Sequence, residues 1–260
     1  MLSALAAAFI LGQTSTSQIV VVGDDWDMPR ADVETLFRYV GGVFQEMTGK
    51  DLPAMEIRHR ANSVPITLYP IKPGQPREIL INSGSNYWCQ LAYQFSHEIL
   101  HACVMSNDIP LSKGCHWFEE SLAECSSIAV MTKMAEKWKK EPAFPGSAGY
   151  AASIESYVAN LRGTLKLDVL SKAKFRAWLA ENEPNVRANS TQREKNMGAA
   201  QNLDRILASN PNYWKSVPKL ALMKLKGPET MEEYLNAWLG AGADRKLIAE
   251  LKSWFVVSGK

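Results

Sequence analysis

The pentapeptide His97-Glu98-Ile99-Leu100-His101 constrains this chain more than any other stretch. Histidine occurs four times in the sequence, and two of the four stand here, four residues apart. On an α-helix, residues i and i+4 lie one turn apart on the same face, so both imidazoles can reach one metal ion. Glu98 lies beside that face, where a carboxylate can act as general base on a water activated by the metal. The alternative is two histidines sharing a helix face with no metal. The spacing therefore asks for a helix around residue 97 and for at least one further ligand from elsewhere.

That ligand is offered by Glu120, separated from His101 by eighteen residues and set within Trp117-Phe118-Glu119-Glu120-Ser121-Leu122-Ala123. A catalytic zinc takes three protein ligands and keeps a fourth position open, and a carboxylate on a second, antiparallel helix completes a His-His-Glu set. The order HExxH, eighteen residues, Glu, with Trp-apolar-x-Glu-small-apolar-Ala around the glutamate, resembles the gluzincin zinc metallopeptidases, most closely the aminopeptidase-N-like branch. The resemblance implies zinc as cofactor, His97, His101 and Glu120 as its ligands, and Glu98 as the general base. It also implies that an acidic residue four positions after the third ligand, here Glu124, orients the first histidine; a solvated helix carboxylate is the alternative. Where the aminopeptidases carry Asn, this chain has Glu119. On a helix it points about 100° away from Glu120, and it is expected to face water or a neighbouring helix. His116 reads as a helix-start residue one turn before Glu120, with the border of the site as the alternative, and His59 as a surface residue.

The chain departs from that family upstream. No Gly-x-Met-Glu-Asn motif precedes His97, and the nearest strand-like stretch, 78–83, contains nothing like it. Removal of one terminal residue at a time is therefore not supported, and endopeptidase action is favoured. The resemblance implies that a strand near the cleft pairs with extended substrate through a free edge; residues 78–83 are the candidate, with an ordinary core strand as the alternative. A Tyr or His downstream of the third ligand is implied as the oxyanion donor, and Tyr150, Tyr157 and Tyr213 all lie in that region. Two other functions stay open: a catalytically inactive zinc-binding scaffold that binds peptides or a protein partner, and a hydrolase of non-peptide or cell-wall amides.

A formal charge of +2 and the lack of a basic stripe interleaved with aromatics argue against nucleic-acid binding. No segment approaches the ~20 apolar residues of a transmembrane span. The expected partner is a peptide or protein substrate, and oligomeric state is unread. Residues 2–11 form an apolar run followed by small polar residues, the pattern of a signal peptide cut before Gln18, although the first basic residue is Arg30. Secretion or a periplasmic location follows from that reading, and a cytoplasmic one if the leader is not a signal. Cys89, Cys103, Cys115 and Cys125 contain no CxxC spacing. In an exported chain Cys103 could bridge Cys115 and Cys89 could bridge Cys125; in a reducing compartment all four are small buried residues.

Periodicity supplies the frame. Ile19-Val20-Val21-Val22 reads as a strand, and Asp27 can cap a helix with Pro29 in its first turn, carrying Val33, Leu36, Phe37, Val40, Phe44 and Met47 and closed by Gly49. Strand-like runs follow at 55–60, 65–71 and 78–82. The metal helices are expected at 87–105 and 116–139, and a Pro/Gly-rich break follows at 141–146. The remainder reads helical, with Ile154, Tyr157, Val158 and Leu161 as one stripe and Leu170, Phe175, Trp178 and Leu179 as another. Thr191 and Glu194 have capping-box spacing ahead of Leu203, Ile206 and Leu207; Pro211, Gly227-Pro228 and 240–242 punctuate three more helices. The fold expected is α+β: a small mixed sheet packed on zincin-type helices, then a mostly helical C-terminal half. Its parts are a leader at 1–17, a catalytic core at 18–140 and a helical subdomain at 141–260.

Overall fold

The computed structural model describes residues 18–68, 72, 74–83, 87–105, 114–164, 171–225, 227 and 229–257. The leader, positions 69–71 of one strand-like run, Leu170 and Pro228 lie outside the described residues. Ile19-Val20-Val21-Val22 is β1 (Ile19–Val22), with Ile19 and Val21 turned inward. Parallel neighbours need a crossover of a dozen or more residues, and α1 (Arg30–Thr48) supplies it ahead of β2 (Met55–His59). Helix α1 buries Val33, Leu36, Phe37, Val40 and Phe44 at the spacing of one face. Its start differs from expectation: Pro29, φ −54°, holds the cap position with no side-chain cap, so the fixed ring dihedral rather than Asp27 sets the first turn. Gly49 ends it in the left-handed region at φ 65°, its N–H donating to Gln45 O at 2.7 Å.

Strand β4 (Arg77–Ile81) runs parallel to β2, with Ile57 opposite Ile79. Strand β3 (Ile66–Leu68) returns antiparallel to β4, with Thr67 opposite Ile79, and the sheet order is β1-β2-β4-β3. The edge expected at 78–83 is thus an interior strand: β4 is hydrogen-bonded on both sides, and Ile79, Leu80 and Ile81 are all buried. The edge strand on that side of the sheet is β3. Helix α2 (Trp88–Val104) packs against both β3 and β4. Gln94 fastens the end of β4 to it, its Oε1 accepting from the backbone of Asn82 at 3.3 Å and Ser83 at 3.4 Å.

Helix α3 (His116–Trp138) is the axis of the second half. It packs against α2, α4 (Ala151–Thr164) and α6 (Arg193–Ala208). Its first turns carry Trp117 and Phe118, enclosed by Tyr234 of α7 (Met231–Gly240) and Phe255 of α8 (Arg245–Phe255); Phe118 lies 5.7 Å from the first ring and 5.2 Å from the second. At its far end the fully buried Trp138 donates Nε1–H to Ser147 O at 2.8 Å. Helix α5 (Lys172–Ala188) and the 3₁₀ helices Ala148–Tyr150 and Pro211–Leu222 are the other helices among the described residues. In the stripes read from sequence, Ile154, Val158, Phe175 and Leu179 are buried, while Tyr157, Leu161 and Trp178 pack partly buried against the core.

The fold is α+β, a small mixed sheet with helices over it and a mostly helical C-terminal half. Two local expectations differ. Thr191 does not cap α6: its hydroxyl donates to Asn189 Oδ1 at 3.0 Å, and the helix starts after Gln192 with no side-chain cap. The capping box belongs instead to Thr230 and Glu233 at the start of α7. All four cysteines are free thiols; Cys89 pairs with Tyr150 Oη at 3.3 Å, and Cys115 donates to Glu229 O at 3.5 Å. Burial pushes the Cys103 thiol up to about 12, well outside the range of a reactive thiolate. No helix among the described residues is long and apolar enough to cross a membrane.

Candidate metal centre

Helix α2 has no side-chain cap at either end and is held by burial: Leu91, Ala92, Phe95, Ile99 and Leu100 are all fully enclosed. That packing turns His97 and His101 toward α3. Their Nε2 atoms lie 3.2 Å apart. Glu120 approaches from α3, Oε2 at 3.4 Å from His97 Nε2 and Oε1 at 3.7 Å from His101 Nε2. One ligand atom from each residue falls within a single group no more than 4.8 Å across. Two donors about 2.05 Å from a tetrahedral ion stand about 3.3 Å from each other. The two imidazole nitrogens, 3.2 Å apart, and the Glu120 Oε2 that stands 3.4 Å from His97 match that spacing, and one atom from each of the three residues lies within 4.8 Å of the others, so His97, His101 and Glu120 can hold a metal ion.

The electrostatics are those of a site built for positive charge. For His101, burial opposes protonation, but the hydrogen bond with Glu119 and the charges of Glu120, Glu119 and Glu98 outweigh it and raise its pKa to about 9. For His97 burial acts the same way and is overcome by the hydrogen bond to Glu120 and the charge of Glu124, so its pKa is raised too. Burial alone would raise the Glu120 pKa; the hydrogen bond with His97 and the charges of His101, His97 and His116 bring it down to about 2.

Glu98, 3% exposed, sits on the sheet side of the group, and both histidines feel its charge. Thr67 on β3 holds it: the hydroxyl lies 2.8 Å from Glu98 Oε2 and 2.9 Å from Glu98 O. Nothing in a three-residue strand singled out Thr67, beyond its being a polar side chain on the inward face. Glu124 Oε1 lies 3.9 Å from His97 Nδ1. Its other oxygen accepts from the Tyr93 hydroxyl, and Arg193, the first residue of α6, closes the group with Nε 3.5 Å from Glu124 and Nη2 2.9 Å from Tyr93 Oη.

Of the two surroundings expected for Glu119, the structure has the neighbouring helix: the side chain is buried against α2, and its Oε1 lies 3.0 Å from His101 Nδ1. His116 reaches the site as well, Nε2 3.4 Å from Glu120 Oε1. His59, read as a surface residue, is partly buried: its ring lies 5.4 Å from Trp26 and its Nδ1 2.6 Å from Asp25 O in an exposed contact, and it does not touch the group. Of the tyrosines considered as oxyanion donors, Tyr150 packs on Trp88 and pairs with Cys89, and Tyr157 packs on Tyr93. Tyr213 belongs to the 3₁₀ helix at 211–222.

Compared with known proteins, the chain matches no protein-family model and no curated protein.

Proposed function

We propose that the chain is a zinc-dependent peptidase of gluzincin type, with His97, His101 and Glu120 as ligands and Glu98 as general base. The observation that carries the reading is the convergence of those three donors from two helices, with a buried carboxylate next to the first of them. Zinc bound there supplies a Lewis acid that polarises a carbonyl and brings the pKa of a water toward ~7. Glu98 takes the proton of the attacking water and delivers it to the leaving amine. Thr67 keeps that carboxylate aimed while β3, the edge strand, offers backbone groups to an extended peptide. Ile66, 40% exposed, and Val64, 70% exposed, place apolar surface along the same edge and favour a peptide with apolar side chains. Cleavage within a chain is preferred to removal of a terminal residue, since no Gly-x-Met-Glu-Asn sequence is present to hold a free amino end. Export remains part of the proposal, on the apolar run at 2–11.

Metal content by mass spectrometry tests the core of this reading. The wild-type chain is expected to hold about one zinc, and a His97→Ala/Glu120→Ala double variant none. Absence of zinc from the reconstituted wild-type chain would remove the enzyme reading. Zinc with no cleavage of a mixed peptide library would leave a metal-held scaffold.

A further inference from the structure

The start of α3 is fixed by the C-terminal half of the chain. A side-chain carbon on Gly114 would lie 2.2 Å from Glu229 O and 2.8 Å from Glu229 N, so only glycine allows this approach. Arg187 Nη1 ties the two backbones together, donating to Gly114 O at 2.7 Å and to Glu229 O at 2.9 Å. Cys115 adds its contact to Glu229 O. The next residue is His116, whose ring has a partner at each nitrogen: Nδ1 is hydrogen-bonded to Ser190 Oγ at 2.8 Å, and Nε2 lies within ion-pair range of Glu120 Oε1 at 3.4 Å. Ser190 is itself anchored, its carbonyl accepting from the buried Asn196 side chain at 2.6 Å.

The chemistry of the two neighbours selects one arrangement of protons. A carboxylate oxygen only accepts, so the nitrogen facing Glu120 must carry the hydrogen. In the neutral ring Nδ1 then accepts, and the Ser190 hydroxyl donates to it. His116 stands outside the three-residue group whose donor atoms converge, so it meets the centre through Glu120. A glutamate has two oxygens and a flexible stem; without a partner for one oxygen, it would sample several ways of meeting a metal.

We propose that His116 is a positioning residue of the metal centre: anchored by Ser190, it gives its Nε2–H to Oε1 of Glu120 and leaves Oε2, which faces His97, for the metal. This rests on the metal reading above. By this relay the corner between α5 and α6 takes part in orienting a ligand on α3. The C-terminal half is then part of the centre's second layer of contacts.

The test uses the full chain and two readouts that need no substrate. Zinc affinity is measured by competition with a chromogenic chelator, and the Co2+-loaded protein is followed by its visible absorption. His116→Ala should weaken zinc binding about 10- to 100-fold, the usual cost of removing a partner from a ligand, and should shift the Co2+ bands. His116→Gln carries an amide N–H close to where Nε2 stood and should recover most of the affinity and the wild-type bands. Ser190→Ala should weaken binding in the same direction by less. Wild-type affinity and spectrum in His116→Ala would overturn the proposal. So would a loss that Gln fails to restore, which would mark the ring as packing or as a ligand in its own right. If His116→Ala does not fold, as judged by the melting of the metal-free chain, His116→Gln and Ser190→Ala decide: the first near wild type and the second weakened support the relay, and any other pairing refutes it. A wild-type chain that binds neither ion is a separate outcome: the metal reading fails, and the relay falls with it.

Discussion

His101 is gripped from both sides by consecutive residues of α3: Glu119 Oε1 lies 3.0 Å from its Nδ1, and Glu120 Oε1 lies 3.7 Å from its Nε2. Side chains about 100° apart on one helix meet the same ring because α3 crosses α2 with the imidazole between them. Glu119 accepts from Nδ1–H, which fixes the tautomer and frees Nε2 toward Glu120. Glu119→Ala should therefore weaken zinc binding about 10- to 100-fold. Glu119→Gln keeps an acceptor without the charge and should lose less. Chelator competition on both variants reads the difference, and equal losses would mean that charge alone matters.

Glu98→Gln preserves shape and removes the proposed base. Zinc content should stay at the wild-type level while peptide hydrolysis falls by at least about 10²-fold, the lower end of what general-base catalysis contributes. A variant that cleaves at the wild-type rate would transfer the proton to some other group.

Metal and protons compete for the histidines. In the metal-free chain the His101 pKa is raised from 6.5 to about 9, so the stability its charged form adds is complete below 6.5 and lost as pH rises through about 9. The Glu120 pKa is lowered from 4.5 to about 2, so its contribution is present above 4.5 and lost as pH falls through about 2. Zinc needs the neutral imidazole and the ionised carboxylate. Its apparent affinity should therefore rise with pH, by about tenfold or more per unit below pH 9, with Glu120 contributing no slope above pH 4.5. Competition titrations between pH 6 and 8 measure this directly; a flat profile would mean that no imidazole proton is displaced.

Thr67→Val keeps the volume and deletes the hydroxyl that meets Glu98. Leaving a buried carboxylate oxygen without that donor should cost about 1–3 kcal/mol of stability, read as a lower urea midpoint. Turnover should fall while zinc affinity holds, since Thr67 touches the base and none of the three ligands. Thr67→Ser should behave like the wild type. Loss of zinc in Thr67→Val would place the hydroxyl's effect on the metal ligands themselves.

Much of this arrangement was legible in the sequence, for reasons that differ by element. Val33 to Met47 located α1 because that helix buries one face, whereas α2, buried on nearly every side, was located by its i, i+4 histidines. Strand order was not legible: β3 is three residues long, and its pairing with β4 is a tertiary choice that local pattern does not record. Thr191 and Glu194 had the right spacing for a cap, but Asn189 takes the threonine hydroxyl first, and the competing local bond wins. The angle of Glu119 on its own helix leaves water or a neighbouring helix open, and nothing local says that its partner on that neighbour is His101. Ser190 and Arg193 carry no signal at all until α5 and α6 are folded against α3.

The contact between Gly114 and Glu229 has a consequence for synthesis. Partners of the centre are drawn from sequence separations of 31 for Thr67 and Glu98, 74 for His116 and Ser190, and 100 for Tyr93 and Arg193, and the segment that pins the start of α3 comes later still. A nascent chain emerging from the ribosome carries its two histidines long before the residues that orient their surroundings. The candidate metal centre would thus be among the last parts of the molecule to mature, and on the peptidase proposal a half-made chain would be poorly equipped to cut itself or its neighbours.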